Sequence, residues 1–268
     1  MRRFAGALAV FSLTLWLDAS SAGAWSGGPL FDVTDIEAKC ATCHASVSRE
    51  QLRTEPPGVA NFVFMENSHY KAISEGTGPY QTLSPADREK LLADVKTMDQ
   101  NVAVTVSAPE SVRPGQEVQI TATVRGGNAV VGVALMDTDL RRKGRIIQAD
   151  GWLIAGAPKV WGSDGQEQTK WVDSRPAGAR RNLNSAVIFD QKADLAAKKF
   201  AGGKVTWTVK APQEPGTYSV TAVMFYGTEK ASSVGAVTLP TGAVVPRGGN
   251  FGNSGRIVFA KPVSVTVR

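Results

Sequence analysis

The sequence predicts an α plus all-β protein of two domains, in which a small helical domain is followed by an antiparallel β-sandwich. Apolar residues recur at helical spacing before residue 100, whereas from Val102 onward they alternate with polar residues. A chain of 268 residues is long enough for two such domains and for a sizeable core without disulfides. We therefore assign residues 25–100 to the helical domain and 101–268 to the sandwich.

Residues 1–24 have the three parts of a secretory signal peptide. Arg2 and Arg3 give a positively charged start, residues 4–17 are almost entirely apolar, and Ala22-Gly23-Ala24 is a small-residue cleavage motif. The apolar run is too short for a good membrane span, and no second run follows it. We expect a bacterial protein exported to the periplasm, to the cell surface or to the medium, with no transmembrane segment in its mature chain.

The first domain contains signals for three helices. A capping box at Thr34-Asp35-Ile36-Glu37 predicts that the first helix begins at Thr34. Residues 67–74 predict a short second helix, on which His69 and Ile73 share a face. The third helix is the clearest, because Ser84 is a good N-cap and an apolar stripe follows it, consisting of Leu91, Leu92, Val95 and Met98.

The second domain consists of short runs with a period of two, separated by turn signals such as Pro114-Gly115 and Pro215-Gly216. About seven strands over this length predict a two-sheet antiparallel sandwich. Residues 155–200 are irregular and predict no strand. Trp207 belongs to an alternating run and is expected in the core. The predicted runs are 102–107, 118–124, 129–137, 205–210, 217–226, 256–260 and 263–267.

Residues 40–44 read Cys-Ala-Thr-Cys-His, which is the attachment pattern of c-type haem. The thiols of Cys40 and Cys43 would each add to one haem vinyl group, and one helical turn would bring both sulfurs to the same porphyrin edge. His44 would give its imidazole to the iron as the proximal ligand. The sequence therefore predicts one covalently bound haem c as the cofactor.

Two other uses of the same residues fit the sequence less well. A thioredoxin-like dithiol would need a strand before the motif, and the sequence shows none there. A zinc site built from Cys40, Cys43, His44 and His69 would crowd two adjacent ligands into one tetrahedron. The chain has 2 cysteines, both in this motif, so no long-range disulfide competes for them. Haem attachment is the hypothesis that these facts favour.

The distal ligand of the iron has three candidates, which are His69, Met65 and Met98. Met98 lies on the apolar stripe of the third helix and is interpreted as a core residue. His69 is favoured, because it is the one histidine outside the attachment motif and shares a face with Ile73. Met65, one helical turn earlier, stays as the alternative. A methionine ligand would generally give a higher potential than a histidine ligand.

With the attachment motif and a closing helix in Leu83–Leu92, residues 30–100 resemble a class I cytochrome c domain. The resemblance implies that the first and last helices pack together beside the haem. It also implies that the distal ligand precedes the last helix, which favours Met65 or His69 over Met98. The usual distal ligand of that family is methionine, so a histidine at position 69 would depart from its pattern.

The second domain weakly resembles reelin-type and related immunoglobulin-like sandwich domains. The matching segments are 131–136 and 204–212, which continues to Gly216-Thr217-Tyr218. The resemblance implies a fold and no specific function. Three tryptophans fit either core packing or a ligand-binding surface, and core packing is favoured. They are Trp152, Trp161 and Trp171.

Charge is divided unevenly between the two domains. Residues 25–100 hold 7 Lys and Arg against 11 Asp and Glu, whereas residues 101–268 hold 21 against 12. The basic domain could dock on an anionic polymer or a cell surface, whereas nothing in an exported chain of this kind points to nucleic acid.

A six-coordinate iron leaves no open position for a substrate. We therefore expect an electron carrier with redox partner proteins, rather than an enzyme. The alternatives are a haem enzyme or sensor with an open distal position, and a surface adhesion or binding protein with an accessory haem domain.

Overall fold

The computed structural model describes residues 35–36, 66–137, 144–171, 183–230, 232–248 and 256–268. Its strands are numbered β1 to β18 in chain order. Strands make up about half of the described chain, and most of them form two six-stranded sheets that pack face to face. The β-sandwich predicted from the alternating apolar residues is therefore confirmed. The predicted signal peptide, Cys40, Cys43, His44 and Met65 lie outside the described residues.

The first sheet is built around a long central strand, β14 (Gly216–Tyr226). One edge of β14 pairs with a single strand, whereas its other edge is shared by two strands in succession. The pairings are antiparallel, apart from a short parallel pairing of β3 with β18. In spatial order the sheet consists of β10 (Ser185–Gln191), β5 (Ala129–Met136), β14, β18 (Val263–Val267) and β3 (Ser111–Val112), with β17 (Arg256–Phe259) on the second half of β14.

The second sheet has the same design around β13 (Gly202–Lys210). Nine residues of β13 pair antiparallel with β4 (Glu117–Arg125), and its other edge is shared by two short strands. The remaining strands of this sheet are β2 (Ala103–Ser107), β7 (Leu153–Ile154), β8 (Lys159–Trp161) and β9 (Glu167–Gln168). Two hairpins lie outside both sheets, β11 (Ala193–Asp194) with β12 (Lys199–Phe200) and β15 (Ser233–Thr238) with β16 (Val244–Gly248).

The core lies between the two sheets, because alternate residues of each central strand point into it. Val205, Trp207 and Val209 of β13 are fully buried, as the period of two predicts. Strands β5 and β14 bury their outward faces as well. A second cluster there contains Ala134, Met136, Val223, Phe225 and Ile257. Such strands read as continuous apolar runs, which explains the sequence of β14 from Val220 to Tyr226.

The interval 155–200 contains strands that the sequence did not predict. The longest is β10, which pairs with β5 along one edge of the first sheet. A shift of register between Ile188 and Gln191 interrupts the alternation of inward and outward residues in β10. The strand therefore lacks the period of two by which strands were predicted. Of the three uncertain tryptophans, Trp152 and Trp171 are buried, and Trp161 is half-buried beneath the Lys204 ammonium at 4.4 Å.

The predicted second and third helices are present. A π-helical turn (Glu66–Lys71) continues into α1 (Ala72–Glu75), and after a 3-10 turn (Gly78–Tyr80) comes α2 (Pro85–Gln100). Ser84 caps α2 by accepting a hydrogen bond from the Asp87 amide at 3.1 Å. Met98 is fully buried on α2, as its place in the apolar stripe predicts.

The helical segment packs directly against the β-hairpins beside the sandwich. One hydrophobic cluster joins Leu91 and Val95 of α2 to Val237 of β15. Half-buried residues of β11, β12 and β16 border the same cluster. Residues 69–100 and the end of the sandwich therefore share an interior, and charged or polar groups trapped at this junction must find partners there.

The prediction that a helix begins at the capping box of Thr34 was wrong. Asp35 and Ile36 form the short strand β1, which pairs antiparallel with Gly144–Arg145 (β6). A capping box indicates only how the free amides of a helix start could be satisfied. Here the ladder with β6 provides partners for that backbone instead. In the part of the chain that the structure describes, no helix has the length and apolar character needed to cross a membrane.

Candidate functional site

A buried cluster of polar side chains lies where the helical segment meets the end of the first sheet. His69 on the π-helical turn, Tyr80 on the 3-10 turn and Asp99 near the end of α2 come from the helical side. The sandwich contributes residues 228–229, which follow β14 directly, and Arg256, the first residue of β17. The cluster brings together residues from sequence positions far apart, and we call it the junction network.

His69 and Glu229 form the contact at one end of the junction network. His69 Nδ1 lies 2.7 Å from Glu229 Oε1, and the two side chains are 9% and 0% exposed. A carboxylate accepts hydrogen bonds and has no proton to donate, so His69 must carry its proton on Nδ1. The neutral ring then has its lone pair on Nε2, which has no hydrogen-bond partner among the described residues.

Glu229 is held by two further donors. The Tyr80 hydroxyl donates to Oε1 at 2.7 Å, and the Thr228 hydroxyl donates to Oε2 at 2.6 Å. Both carboxylate oxygens are therefore engaged, and the acceptor that faces His69 has a fixed position. Charge-assisted hydrogen bonds of this kind are roughly twice as strong as those between neutral groups.

Arg256 supplies the positive charge of the network. Its side chain is 1% exposed, and its Nη1 donates to Thr228 Oγ1 at 2.7 Å. Its Nε lies 2.9 Å from Asp99 Oδ1, so the guanidinium forms an ion pair with that carboxylate. The hydroxyls of Tyr70 and Tyr226 donate to Asp99 at 2.6 Å and 3.0 Å. The Arg256 guanidinium thus lies between two buried carboxylates, of which Asp99 accepts from two tyrosine hydroxyls and Glu229 from one tyrosine and one threonine hydroxyl.

The electrostatics of the network keep His69 neutral and Glu229 ionised. Burial, followed by the nearby Arg256 guanidinium, lowers the pKa of His69 below its ordinary value, against the opposing effect of Glu229. Burial alone would raise the pKa of Glu229, but the His69 hydrogen bond, the Arg256 charge and the Thr228 hydroxyl together hold it well below its usual range. A neutral imidazole bound to a carboxylate at one nitrogen has its other nitrogen available as a ligand.

The sequence predicted one member of this network. His69 is the favoured ligand candidate, and the structure buries both His69 and Ile73, as their shared face predicts. Met98 lies in the hydrophobic cluster between α2 and the β15–β16 hairpin, where it packs as a core residue. Glu229 and Arg256 were not predicted, because Glu229 follows an apolar strand and Arg256 begins one, and neither position indicates a buried charge. A Thr-Glu-Lys sequence directly after the apolar strand β14 is the one hint that was available.

The donor chemistry at His69 fits a haem ligand. Axial and metal-binding histidines typically donate their second ring N–H to a carboxylate or carbonyl, which fixes the tautomer and the ring orientation. His69 has that arrangement at Nδ1. Histidine, cysteine, aspartate and glutamate form no group of three within the described residues that could hold a metal ion by themselves. The arrangement at His69 Nδ1 is thus compatible with ligation through Nε2.

Comparison with known proteins gives similarity at the level of solved structures alone. No protein-family model and no curated protein matches the sequence. The bacterial hydrophobin BslA aligns with a TM-score of 0.30 and 13% identity over 63% of this chain and 94% of its own. The C-terminal domain of the Streptococcus agalactiae AgI/II polypeptide BspA aligns with a TM-score of 0.32 and 12% identity over 62% and 50%. A cohesin module from a Clostridium perfringens family 33 glycoside hydrolase gives 0.25 and 7% over 63% and 98%.

Proposed function

We propose that this chain is an exported monohaem c-type cytochrome that transfers single electrons. Cys40 and Cys43 would hold the haem covalently, His44 would be its proximal ligand and His69 its distal ligand. A bound haem supplies the chemistry of one-electron exchange between its ferric and ferrous states. The chain binds and orients the group, excludes water from one side of it and presents it to redox partner proteins.

The observation that carries this proposal within the structure is the state of His69. The side chain is buried, its Nδ1 proton is donated to Glu229, and its Nε2 has no hydrogen-bond partner among the described residues. The single engaged nitrogen supports ligation through the other, and it favours His69 over Met65.

The proposal assigns a family type to each part of the chain. Residues 25–100 would form the class I-like cytochrome c domain, and residues 101–268 an immunoglobulin-like or reelin-like module. The observed sandwich supports the second assignment at the level of architecture, and the closing helix α2 supports the first. Residues 1–24 would act as a signal peptide that delivers the chain to the periplasm or the cell surface.

Optical spectra of the protein produced with cytochrome maturation and export machinery test the proposal. We expect haem c bands in the reduced protein, a low-spin ferric form and no methionine–iron charge-transfer band. Met65→Leu should leave these spectra unchanged, whereas His69→Ala should give a high-spin form that binds carbon monoxide. A methionine band that Met65→Leu abolishes would exclude His69 as the ligand.

The same spectra separate the proposed carrier from a haem enzyme or sensor. An open distal position would give a high-spin ferric spectrum in the wild-type protein, together with direct binding of cyanide. That outcome would contradict the electron-carrier function and leave haem attachment in place.

The proposal gives the sandwich a docking role on an anionic polymer or cell surface. The outer face of β4, β13 and β8 carries four exposed basic side chains, with exposed Glu117 opposite one of them, Lys210. The basic residues are Arg125, Lys159, Lys204 and Lys210. We call this surface the basic face. Its charge supports association with a polyanion. Added salt should weaken that association, because the screening length for exposed charges is about 10 Å at 0.1 M ionic strength.

Binding to an anionic polysaccharide such as alginate, measured from low to high ionic strength, tests the docking role. Lys204→Glu combined with Lys159→Glu should weaken binding at low salt, whereas the control Lys261→Glu, outside that face, should change it little. Binding that ignores both salt and charge reversal would contradict the role.

A further inference from the structure

The contact between His69 and Glu229 crosses from the helical segment to the sandwich. His69 belongs to the π-helical turn 66–71, and Glu229 follows strand β14 of the first sheet. Both residues are buried, so the 2.7 Å contact between Nδ1 and Oε1 is protected from competing water. The sandwich therefore reaches the ring that we propose as the distal haem ligand.

The position of Glu229 does not depend on His69 alone. Tyr80 donates to the same carboxylate oxygen as His69, and Thr228 donates to the other. Thr228 is itself fixed by the Arg256 guanidinium, which is paired with Asp99. A carboxylate held by this many partners keeps its place when the ring changes its charge or bonding, because reorganising it would break several buried hydrogen bonds.

We infer that Glu229 is a positioning residue that sets the orientation and the donor strength of His69 from within the sandwich. The inference rests on the proposed function, since it assumes that His69 Nε2 binds haem iron. A carboxylate that accepts the Nδ1 proton draws that proton away from the ring and increases electron donation at Nε2. Stronger donation and a nearby negative charge both favour the oxidised haem. The sandwich would thereby lower the reduction potential of the haem.

The decisive variant is Glu229→Gln, which keeps the shape of the side chain and one acceptor oxygen while removing the charge. Its amide can donate to Thr228 Oγ1, and its oxygen can still accept from His69 and Tyr80. We expect the ratio of ferrous to ferric haem at a fixed solution potential to rise about tenfold, which is the lower end of the roughly 10- to 100-fold effects that partners of metal ligands have on metal affinity or activity. For a one-electron couple, tenfold corresponds to about 59 mV in midpoint potential.

Tyr80→Phe is the matched control for this measurement. It removes another hydrogen bond to the same oxygen but leaves the charged carboxylate facing His69. Relieved of one donor, Glu229 becomes a stronger acceptor for His69, so the midpoint potential should stay the same or fall. A rise in Tyr80→Phe equal to that in Glu229→Gln would mean that any disturbance of the junction raises the potential, and it would overturn the inference.

A second measurement needs no variant and covers the case in which Glu229→Gln fails to fold. In the reduced, diamagnetic wild-type protein, a proton held between His69 Nδ1 and a buried carboxylate should give a strongly downfield NMR signal that exchanges slowly with solvent. Rapid exchange of the Nδ1 proton would overturn the inference, whereas a protected signal would support it.

Different results would contradict the cytochrome function and the role of Glu229. A wild-type protein without haem, or with a methionine ligand, contradicts the proposed function or its distal ligand before Glu229 is considered. A wild-type protein with two histidine ligands whose midpoint potential is unchanged in Glu229→Gln preserves the cytochrome function and overturns the role of Glu229.

Discussion

His69 and Glu229 stand 160 residues apart in the sequence and share a buried hydrogen bond of 2.7 Å. One residue lies on the helical segment that we propose to supply the distal haem ligand, and the other follows the central strand of the first sheet. This contact makes the sandwich part of the environment of the candidate ligand. The two parts of the chain are accordingly expected to influence each other's stability and redox behaviour.

The first prediction concerns Arg256, the buried cation of the junction network. Arg256→Met should lower the free energy of unfolding by about 3–5 kcal/mol, because Asp99 would stay buried without its ion-pair partner and Glu229 would lose the nearby guanidinium, keeping only Lys230 among the described residues as a cation close to it. Chemical denaturation followed by circular dichroism measures the change. Arg256→Lys should recover part of the loss, because lysine restores the charge but lacks the guanidinium nitrogens that contact both Asp99 and Thr228.

Arg268→Met is the control for this loss. The Arg268 side chain is exposed and donates to Ser111 at 3.0 Å, so its replacement should change stability by less than about 0.5 kcal/mol. If Arg256→Met and Arg268→Met had equal and small effects, the network could not be a main source of stability at the junction.

The second prediction separates Met98 from the haem. Met98 is fully buried in the cluster between α2 and the β15–β16 hairpin. Met98→Ala should destabilise the protein by about 2–5 kcal/mol through the cavity that it creates, whereas Met98→Leu should cost less than about 1.5 kcal/mol. Both variants should keep the wild-type haem spectrum. A change of spin state in Met98→Leu would show that Met98 is an iron ligand and not a core residue.

The third prediction tests how α2 begins. Ser84→Ala removes the hydrogen bond that the Asp87 amide donates to the serine oxygen, and it should reduce stability by about 1 kcal/mol. Ser74→Ala is a suitable comparison, because the Ser74 hydroxyl donates only to the Lys71 carbonyl on an exposed surface. Thermal unfolding of both variants should show a lower Tm for Ser84→Ala alone. Equal Tm values would mean that packing against the hairpins, and not the cap, fixes the start of α2.

Local patterns predicted the elements whose folding depends on neighbouring residues. The alternation in β4 and β13 predicted two strands, which pair with each other in the structure, and Ser84 predicted the start of α2. The strand β10 was missed because its bulge breaks the alternation, and the capping box at Thr34 was misleading because β6 pairs with that segment. These errors arise from partners that are distant in sequence.

The junction network could be predicted only in part for the same reason. His69 was found because histidine is rare in this chain, with 2 in 268 residues, so each one attracts a chemical hypothesis. Glu229 and Arg256 resemble the many charged residues that end or begin exposed strands. Their burial follows from the way in which α2 and the turns before it cover the end of β14. Because His69 and Glu229 are 160 residues apart, no local periodicity in the sequence indicates their contact.

The most direct test of the central claim is the mass of the mature protein after export from a host with cytochrome maturation machinery. We expect the mass of the mature polypeptide plus one haem, retained under denaturing conditions and lost in a variant carrying Cys40→Ala and Cys43→Ala. A colourless protein whose mass equals that of the bare polypeptide would contradict covalent haem attachment, and with it the proposed function.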